Sequence, residues 1–376
     1  MTNSKLCPAP WTSIYINPDG RIDSCCSAEN KLGNIYKQST ASIIHGEKNI
    51  AVKDIFLQNE FPSGCFRCEH REKAGGNSLR GEFVKWFENE PDNTYATSDA
   101  FTLKYADFRV RNTCNFACVY CNQELSSSWA QELGKPIRIE KDDTRELVNY
   151  LLQNLKTLKY LYIAGGEPLL IKENEIILKA LLEENPNCTV RVNSNLSQLD
   201  NPIYELITKF KNVHWVISAE DVGERYNYIR YGGDWEQFTK NLATIKNTVH
   251  ENCITFNLVY NALNTKGIFD FIDFLHEQNV GTNKIFIMYV DHGHGSHLDP
   301  RLLPPHLLEQ AKNILDQQIA KNYGGYLATS LDGLKATINL PYTNTNKNGL
   351  FANLAELDRR RGTNSRLIFP ELYATV

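Results

Sequence analysis

Three cysteines stand close together in the segment RNTCNFACVYCNQ, residues 111–123. Cys114, Cys118 and Cys121 form a C-x3-C-x2-C pattern. Three thiolates at this spacing can bind three corners of an iron–sulfur cubane, whose fourth iron then stays open to a ligand other than protein. Zinc is the rival metal, but structural zinc normally takes four protein ligands, and no fourth Cys or His lies within twenty residues.

Four more candidate ligands lie near the N-terminus, at Cys7, Cys25, Cys65 and Cys68. The strand-like runs TSIYI and RIDSC flank NPDG, a strong hairpin signal, so the first two cysteines are predicted at one end of two paired strands. Four thiolates can close a metal site completely, and chemistry alone leaves zinc and a second iron–sulfur cluster equally open. Cys26 is a neighbouring cysteine that could replace Cys25 as a ligand.

Alternating strands and helices must position these groups. The run before the three-cysteine segment reads as a strand, and helical stretches separate five later strands, which predicts a parallel sheet with right-handed crossovers. The predicted strands are 101–110, 160–164, 189–196, 213–221, 255–264 and 283–292. The predicted helices are 43–58, 143–155, 173–184, 203–210, 235–249, 268–278 and 305–321. This pattern alone fits either a doubly wound sheet or a barrel.

Composition excludes several classes of protein. The chain has 376 residues, of which 42% are hydrophobic, so it can bury a sizeable core and two units are expected. A formal charge of −4 argues against a nucleic-acid or membrane-surface protein. The sequence contains no run of eighteen apolar residues, so no membrane span is predicted. The N-terminus lacks a signal-peptide pattern. Ten cysteines without a secretory signal indicate thiolate ligands in a reducing compartment, and hence the cytoplasm.

The three-cysteine motif resembles that of the radical S-adenosylmethionine (SAM) enzymes. Their motif is C-x3-C-x-aromatic-C, and Tyr120 fills the aromatic position. A second family signature, GGEP, follows the next predicted strand at residues 165–168. The resemblance implies an α/β fold, a partial (β/α)6 barrel, with a [4Fe-4S] cluster on the three cysteines and SAM bound to it.

The resemblance also implies which residues contact SAM. Backbone and side-chain groups of the GGEP segment face its amino group, and polar residues at the ends of later strands contact its ribose or carboxylate. Arg230 follows Ser218 by twelve residues, where relatives place an arginine, and Arg225 is the alternative. The implied cofactor-binding residues are Tyr120, Gly165, Gly166, Glu167, Asn193, Asn195, Ser218 and Arg230. Glu220 departs from the family pattern, which has an Asp there.

The N-terminal cysteines resemble a half-module of the SPASM domain called twitch. The pattern C-x12-G-x4-C, followed at a distance by C-x2-C, implies an auxiliary [4Fe-4S] cluster held by Cys7, Cys25, Cys65 and Cys68. Here the module precedes the barrel, whereas most relatives carry it afterwards. The expected domains are an auxiliary module over 1–99, the barrel over 100–325 and a helical C-terminal cap over 326–376.

For such an enzyme the resemblance implies reductive cleavage of SAM to a 5′-deoxyadenosyl radical, with an electron from a donor such as flavodoxin or ferredoxin. The radical abstracts a substrate hydrogen, and a fully ligated auxiliary cluster is able to accept an electron. The net reaction is then a two-electron oxidation such as dehydrogenation.

The first hypothesis for the substrate is a small or sugar-like molecule, which the resemblance to relatives with only a twitch module implies. No segment predicts a separate leader-peptide-binding domain, which weighs against a peptide substrate. The alternatives are a maturase acting on a peptide or protein side chain, and a degenerate iron–sulfur protein without catalysis.

Oxidation of a carbon radical is easier when a proton leaves as well, which requires a base. Glu220 and His292 are the candidates, because both fall at predicted strand ends. His292 belongs to a histidine-rich stretch, residues 288–300. That stretch is either a metal site or, as we expect, a glycine-rich loop over the substrate whose histidines move protons.

Overall fold

The computed structural model describes residues 4–73, 75–136, 144–250, 253–290, 295–342 and 349–374. The chain forms two compact units. The first unit comprises Met1–Thr113, Pro136–Asn193 and Asp200–His214, and the second comprises Cys114–Lys135, Ser194–Leu199 and Trp215–Val376.

Among its described residues, the first unit contains six strands and the helices of the N-terminal region. Its strands are β1 (Ser13–Ile16), β2 (Arg21–Asp23), β3 (Gly33–Asn34), β4 (Tyr105–Phe108), β5 (Tyr160–Ile163) and β6 (Thr189–Ser194). Its helices are α1 (Ala9–Thr12), α2 (Thr40–Ile44), α3 (Glu47–Leu57), α4 (Phe66–Lys73), α5 (Leu79–Trp86), α7 (Arg145–Gln153), α8 (Lys172–Glu184) and α9 (Pro202–Ile207); the intervening α6 (Ser127–Glu132) belongs to the second unit.

The strands of the first unit lie in the order β3-β2-β1-β4-β5-β6. The predicted N-terminal hairpin is confirmed, since β1 and β2 pair antiparallel, and Gly20 in its turn has a φ of +82° that favours glycine. The strand β1 also pairs parallel with β4, and β4, β5 and β6 are parallel to one another. The N-terminal hairpin therefore extends the same sheet that leads into the three-cysteine segment.

The two faces of this sheet differ in chemistry. Ile16, Phe108, Ile163 and Val192 are in register across four strands and are completely buried. Burial of each such side chain stabilises the unit by roughly 1.5–3 kcal/mol. Side chains alternate between the faces of a strand, so the neighbouring positions lie on the opposite face, which is polar.

The second unit is built on three parallel strands followed by a helical C-terminal region. The strands β7 (Val213–Ser218), β8 (Ile254–Tyr260) and β9 (Ile285–Tyr289) lie in that order, and the helix over Gly325–Ile338 packs on β9. Besides α6, the helices are α10 (Gly223–Ile229), α11 (Trp235–Thr248), α12 (Gly267–Glu277), α13 (Pro305–Ala320), α14 (Gly325–Ile338), α15 (Gly349–Arg361) and α16 (Ser365–Ile368).

The core of the second unit joins the three-cysteine segment to the C-terminal helices. Ala117 and Val119, which lie between the cysteines, belong to the same buried cluster as Leu350, Leu354 and Phe369. The C-terminal helices were predicted as a cap, and they supply this packing. Among the described residues, none of the helices combines the length and the apolar character that crossing a bilayer requires.

All six predicted strands of the parallel sheet are present, each within or close to its predicted span. The predicted helix 43–58 is instead two helices, α2 and α3, separated by His45 and Gly46. Gly46 has an extended ψ of 160°, and a Cβ at this position would lie 2.7 Å from the carbonyl oxygen of Ser42. The break therefore requires the glycine.

Candidate functional site

The three-cysteine segment, defined by Cys114, Cys118 and Cys121, is fixed in the second unit by hydroxyl groups at the start of α6. Ser126 donates its Oγ–H to the carbonyl of Phe116 at 2.6 Å. Ser128 donates to the carbonyl of Cys114 at 2.8 Å, and Ser127 bonds both the N–H and the carbonyl of Cys114 at 3.0 Å. These bonds satisfy the backbone of a loop whose thiols must face a ligand.

The other side of the segment is tied to residues 229–231. Ala117 donates its N–H to the carbonyl of Tyr231 and Val119 donates to that of Ile229, both at 2.8 Å. The next residue, Gly232, has a φ of +97°, and a Cβ there would lie 2.7 Å from the carbonyl oxygen of Asn115. The segment is thus clamped from both sides by groups outside the motif.

A buried polar cluster adjoins Cys118. Glu220 accepts two bonds from Arg230, from Nε at 2.7 Å and from Nη2 at 2.8 Å, and a third from the hydroxyl of Tyr120 at 2.9 Å. The remaining nitrogen of Arg230, Nη1, lies 4.0 Å from the sulfur of Cys118. Only 5% of the Arg230 side chain and 1% of the Glu220 side chain are exposed. Burial raises the pKa of the Cys118 thiol, and the charge of Arg230 opposes that shift.

This geometry bears on two predictions. Both carboxylate oxygens of Glu220 are already hydrogen-bonded, so as a base it would first have to release Arg230 or Tyr120. The Nε–Nη2 edge of Arg230 is occupied, which leaves Nη1 for any contact with SAM. The catalytic role of Glu220 and the SAM contact of Arg230 stay predictions. Arg225, the alternative to Arg230, pairs with Glu371 at 2.8 Å.

The GGEP segment lies in the first unit against the chain that leads to the three cysteines. A Cβ on Gly165 would lie 2.9 Å from the carbonyl of Arg111, and one on Gly166 would lie 2.1 Å from the carbonyl of Thr113. Glu167 donates its N–H to the same carbonyl of Thr113 at 2.7 Å, and its buried carboxylate accepts from the N–H of Leu169. The two glycines are therefore needed for this close approach of one backbone to another.

The remaining predicted contacts lie at strand ends. Asn193 and Ser218 are partly exposed. Asn195 is buried and donates its amide N–H to the side-chain oxygen of Asn115 at 3.1 Å, which places it on the three-cysteine segment itself. His292 lies outside the described residues.

The four N-terminal cysteines line a single cavity in the first unit. Cys7, Cys25, Cys65 and Cys68 share its wall with mostly apolar and aromatic side chains, among them Phe56, Phe61 and Phe83, and with Arg80. Cys26 is exposed and does not line this cavity, which favours Cys25 over its neighbour. Burial raises the pKa of Cys65 to about 11 and that of Cys7 still further, which opposes the loss of their protons when no metal is bound.

Two polar groups support this cavity. Asn30 directs its amide N–H towards the sulfur of Cys65 at 3.7 Å and towards Asp23 at 3.3 Å. Arg80 forms a two-pronged ion pair with Glu72 and also donates to the carbonyl of Leu6 at 3.0 Å, which fixes the residue before Cys7. Gly64 is needed here, because a Cβ would lie 2.3 Å from the side-chain oxygen of Asn30.

The donor sets fit iron–sulfur clusters. All ten cysteines are free thiols, four of them converge on one cavity, and three others share the loop that Ser126–Ser128 and Arg230 surround. Thiolates are the usual protein ligands of such clusters. Within the part of the chain that the structure describes, no three His, Cys, Asp or Glu side chains are gathered at a single-ion metal site.

Several supporting residues were missed from the sequence. The run SSSW directly after the three cysteines carries a signal, because Ser126 caps α6 by accepting from the N–H of Trp129. Arg361, which donates to the carbonyl of Ala117 at 2.9 Å, comes from 244 residues further along the chain. No local pattern marks such a partner.

Comparison with known sequence families identifies two domains. The family described as the Radical SAM superfamily matches residues 109–275, and the family described as an iron–sulfur cluster-binding domain, SPASM, matches residues 7–69. Among curated proteins, none matches this chain in sequence.

Solved structures show distant likeness. Streptococcus suis SuiB bound to its precursor peptide SuiA is 14% identical, with 78% of this chain and 66% of that chain covered and a TM-score of 0.43. The enzyme anSMEcpe with bound AdoMet and a peptide is 16% identical, with 56% and 58% covered and a TM-score of 0.40. TYW1 with a lysine–pyruvate adduct is also 16% identical, with 54% and 70% covered and a TM-score of 0.35. The chain thus spans just under two thirds of the length of SuiB.

The matched families agree with the cysteine and glycine motifs of the sequence. The radical SAM match contains the C-x3-C-x2-C and GGEP segments, and the SPASM match contains all four cysteines of the N-terminal cavity. The predicted α/β fold class and the predicted cofactors, [4Fe-4S] clusters and SAM, are confirmed at the level of these domains. The chain contains a radical SAM domain over residues 109–275 and, ahead of it, a SPASM-type iron–sulfur domain over residues 7–69.

Proposed function

We propose that this radical SAM enzyme completes a two-electron oxidation, a dehydrogenation, of a small-molecule substrate. The observation that carries the proposal is the cavity lined by Cys7, Cys25, Cys65 and Cys68. Four thiolates leave a cubane without an open iron, so a cluster held there can exchange electrons but offers substrate no coordination site. Such a site suits a reaction in which the substrate gives up an electron after losing a hydrogen atom.

We assign the cofactor ligands as follows. Cys114, Cys118 and Cys121 hold the SAM-binding cluster, and the four cavity cysteines hold the auxiliary cluster. Tyr120 and the GGEP segment, with the strand-end residues, form the surroundings of SAM. When bound, SAM and the first cluster supply a hydrogen-abstracting 5′-deoxyadenosyl radical, and the auxiliary cluster supplies a one-electron acceptor.

The residues of the chain prepare these sites. Arg230 places a nitrogen 4.0 Å from the sulfur of Cys118, and its charge opposes the rise in the pKa of that thiol that burial causes. The serine hydroxyls at the start of α6 hold the loop backbone, which keeps the three sulfurs in place. Around the auxiliary site, the phenylalanine side chains exclude water.

The proposal extends to the partners of the enzyme. Reduction requires a one-electron donor, for which flavodoxin or ferredoxin is suited. Ten free thiols, seven of them assigned as ligands, fit the reducing conditions of the cytoplasm. A peptide or protein side chain is the alternative substrate class.

The test uses the full chain, reconstituted anaerobically and reduced with dithionite in the presence of SAM. Formation of 5′-deoxyadenosine is expected, and a product two hydrogens lighter should form in equal amount once a substrate is supplied. SAM regenerated at each turnover, or a product of unchanged mass, would contradict the oxidation and indicate an epimerisation or rearrangement. Screening peptides beside small molecules in the same assay decides the substrate class.

A further inference from the structure

The polar face of the first unit's sheet carries one row of side chains in register. Tyr15 on β1 stands opposite Asp107 on β4, Asp107 opposite Tyr162 on β5, and Tyr162 opposite Arg191 on β6. Tyr15, Tyr162 and Arg191 are all partly exposed, while the opposite face of the same strands is completely buried. This row is therefore open to a ligand, and it is polar where a structural core would be apolar.

The negative charge of Asp107 in this row is already neutralised by Arg109. Asp107 accepts two hydrogen bonds from Arg109, from Nε at 2.7 Å and from Nη2 at 2.9 Å. The Arg109 guanidinium lies over the rings of Tyr15 and Tyr162, at 5.1 and 5.5 Å from their centroids. A two-pronged ion pair satisfies both partners, so this pair contributes no net charge.

Arg191, the cation in the row itself, has no carboxylate partner among the described residues. Arg191 lies over the rings of Trp86 and Tyr162, at 5.5 and 5.6 Å from their centroids. Its Nε is buried and has no hydrogen-bond acceptor among the described residues, and no ion pair there includes its guanidinium. Aromatic rings can fix the orientation of a guanidinium that stacks on them. They do not accept the paired N–H hydrogen bonds that Arg normally donates to a carboxylate.

A cluster of aromatic side chains packs beside Arg191. Trp86 of α5 stacks on Tyr105 with an interplanar angle of 14° and a centroid distance of 5.5 Å, and it also contacts Tyr160 at 5.6 Å. Phe83 and Phe87 complete the cluster. The guanidinium of Arg191 is thus held rigidly between a flat aromatic floor and Tyr162, whose pKa burial raises to about 12 so that its hydroxyl remains a donor.

We propose that Arg191 binds a carboxylate group of the substrate, with Tyr162 beside it as a further hydrogen-bond donor. A planar carboxylate matches the two parallel N–H groups of one guanidinium edge. The row together with Arg109 carries two cations and one anion, which leaves one positive charge to balance a monoanion. A phosphate dianion would call for a second unneutralised cation.

This inference rests on the proposed function, since it concerns the substrate of that enzyme. The strand β4 that carries Asp107 leads directly along the chain into Cys114, the first ligand of the proposed SAM-binding cluster. The carboxylate belongs either to an acidic side chain or to the α-carboxyl of a free amino acid, and both sources share the same chemistry.

The test monitors Trp86 in the full chain, with clusters reconstituted and oxidised and with the five tryptophans replaced by 5-fluorotryptophan. Trp86→Phe assigns its 19F resonance. N-acetylglutamate amide presents a side-chain carboxylate, N-acetylalanine presents an α-carboxylate, and N-acetylglutamine amide presents neither. At least one carboxylate should shift the Trp86 resonance saturably, while the carboxamide should not.

Arg191→Gln should weaken that carboxylate at least about tenfold, and Arg191→Lys should weaken it less, because Lys keeps the charge but loses the fork. Arg21→Gln, which alters an exposed arginine of the same unit, is the matched control and should bind as the wild type does. The other four 19F resonances report whether each variant is folded.

Equal shifts with carboxylate and carboxamide, no shift with either carboxylate, or full binding by folded Arg191→Gln would overturn the inference. Binding of N-acetylphosphoserine amide, which carries a phosphate but no carboxylate, in preference to both carboxylates would overturn it as well. Formation of 5′-deoxyadenosine by the wild type is measured in parallel. If it forms while carboxylate discrimination fails, only this inference falls; if it does not form, the proposed function falls instead.

Discussion

The two cysteine regions of this chain differ in how the protein holds the thiols. In the first unit, four thiols converge on a cavity whose walls are otherwise largely apolar, so the protein itself closes the site. In the second unit, three thiols lie on a loop whose backbone is clamped by serine hydroxyls and by residues 229–231. A closed site needs shape and burial, whereas a site with one open position must be held rigid while a face remains free.

An arginine neutralised by a glutamate accompanies both regions, but the two pairs differ in burial. The side chains of Arg230 and Glu220 are 5% and 1% exposed, while those of Arg80 and Glu72 are 17% and 25% exposed. Water can replace a lost partner at the second pair but not at the first. The three-cysteine region therefore depends more strongly on its supporting ion pair than the four-cysteine cavity does.

The largest expected difference concerns iron and SAM cleavage. Two cubanes predict about eight irons per chain after anaerobic reconstitution. Replacing Cys114, Cys118 and Cys121 together by Ala should remove about half of the iron and abolish formation of 5′-deoxyadenosine. Replacing Cys65 and Cys68 should remove the other half, keep the cleavage of SAM and leave little oxidised product.

Iron analysis and chromatography of 5′-deoxyadenosine measure both variants. Cys188→Ala and Cys253→Ala, which alter cysteines outside both regions, are the matched controls and should keep all of the iron. Full iron content in the triple variant would show that the three-cysteine segment is not a cluster site. Zinc in that variant would show that the N-terminal cavity is a structural zinc site.

The next effect tests the ion pairs. Arg230→Ala leaves the Glu220 carboxylate buried with only Tyr120 as a partner, so the free energy of unfolding should fall by about 3–5 kcal/mol. Arg80→Ala should cost less, roughly 1–3 kcal/mol, because its pair is partly solvated. Arg225→Ala breaks an exposed pair with Glu371 and should cost less than about 1 kcal/mol.

Urea unfolding of the three variants gives the order of these losses, and titration calorimetry with SAM gives the affinity of each folded variant. Equal losses for Arg230→Ala and Arg225→Ala would contradict the dependence on burial. A folded Arg230→Ala variant of normal stability but weak SAM binding would instead indicate that Arg230 contacts SAM directly.

Arg230 also shows what the sequence reveals and what it does not. Local motifs identified the three cysteines, the glycine pair and the strands, because their spacing is set by backbone geometry and by ligand number. The spacing of ten residues between Glu220 and Arg230 does not reveal their ion pair, since it forms only when the turn of α10 brings them together. The sequence therefore predicts a SAM contact for Arg230 but not the carboxylate of Glu220 that it already binds.

The same limit applies to the glycines of GGEP and to the polar row. From the sequence, paired glycines indicate close approach to something, and the structure shows that this partner includes the carbonyls of Arg111 and Thr113. Asp107, Tyr162 and Arg191 lie on three separate strands, and only the register of those strands brings them into one row. Such groupings depend on strand order, which no single segment encodes.

A smaller effect should distinguish the three-cysteine region by its pH dependence. Asp221, next to Glu220, is completely buried, and this burial raises its pKa from 3.8 to about 7. An aspartate with a raised pKa stabilises the folded state while protonated, and this stabilisation is lost as the pH rises from about 4 through about 7. The free energy of unfolding should therefore fall by roughly 2–4 kcal/mol over that range.

Asp221→Asn should remove this pH dependence and make the protein more stable than the wild type at pH 8. Urea midpoints of both proteins at several pH values measure the effect, with the exposed Asp316→Asn as the control that should keep the wild-type slope. A wild-type slope in Asp221→Asn would assign the pH dependence to other groups.

The smallest expected effect separates the two regions by redox potential. Asn30 directs an N–H group at the sulfur of Cys65, 3.7 Å away. Such a bond stabilises the more negative, reduced form of a cluster, so Asn30→Leu should lower the potential of the auxiliary cluster. A contribution of about 1 kcal/mol corresponds to roughly 40 mV for a one-electron couple. Asn34→Leu is the matched control, because the amide of Asn34 donates to the backbone of Asp19 and not to a sulfur.

A potentiometric titration followed by electron paramagnetic resonance measures both clusters in one sample. The cluster on the three-cysteine segment serves as an internal reference, since the side-chain amide of Asn30 belongs to the four-cysteine region, where it contacts Asp23 and Cys65. A shift of the auxiliary signal alone would show that the protein tunes the two sites independently, each through its own supporting side chains. An unchanged auxiliary potential would mean that the contact of Asn30 with Cys65 does not affect the potential of the cluster. The amide of Asn30 would then act only as a hydrogen-bond donor to Asp23, which also accepts from the N–H of Lys31.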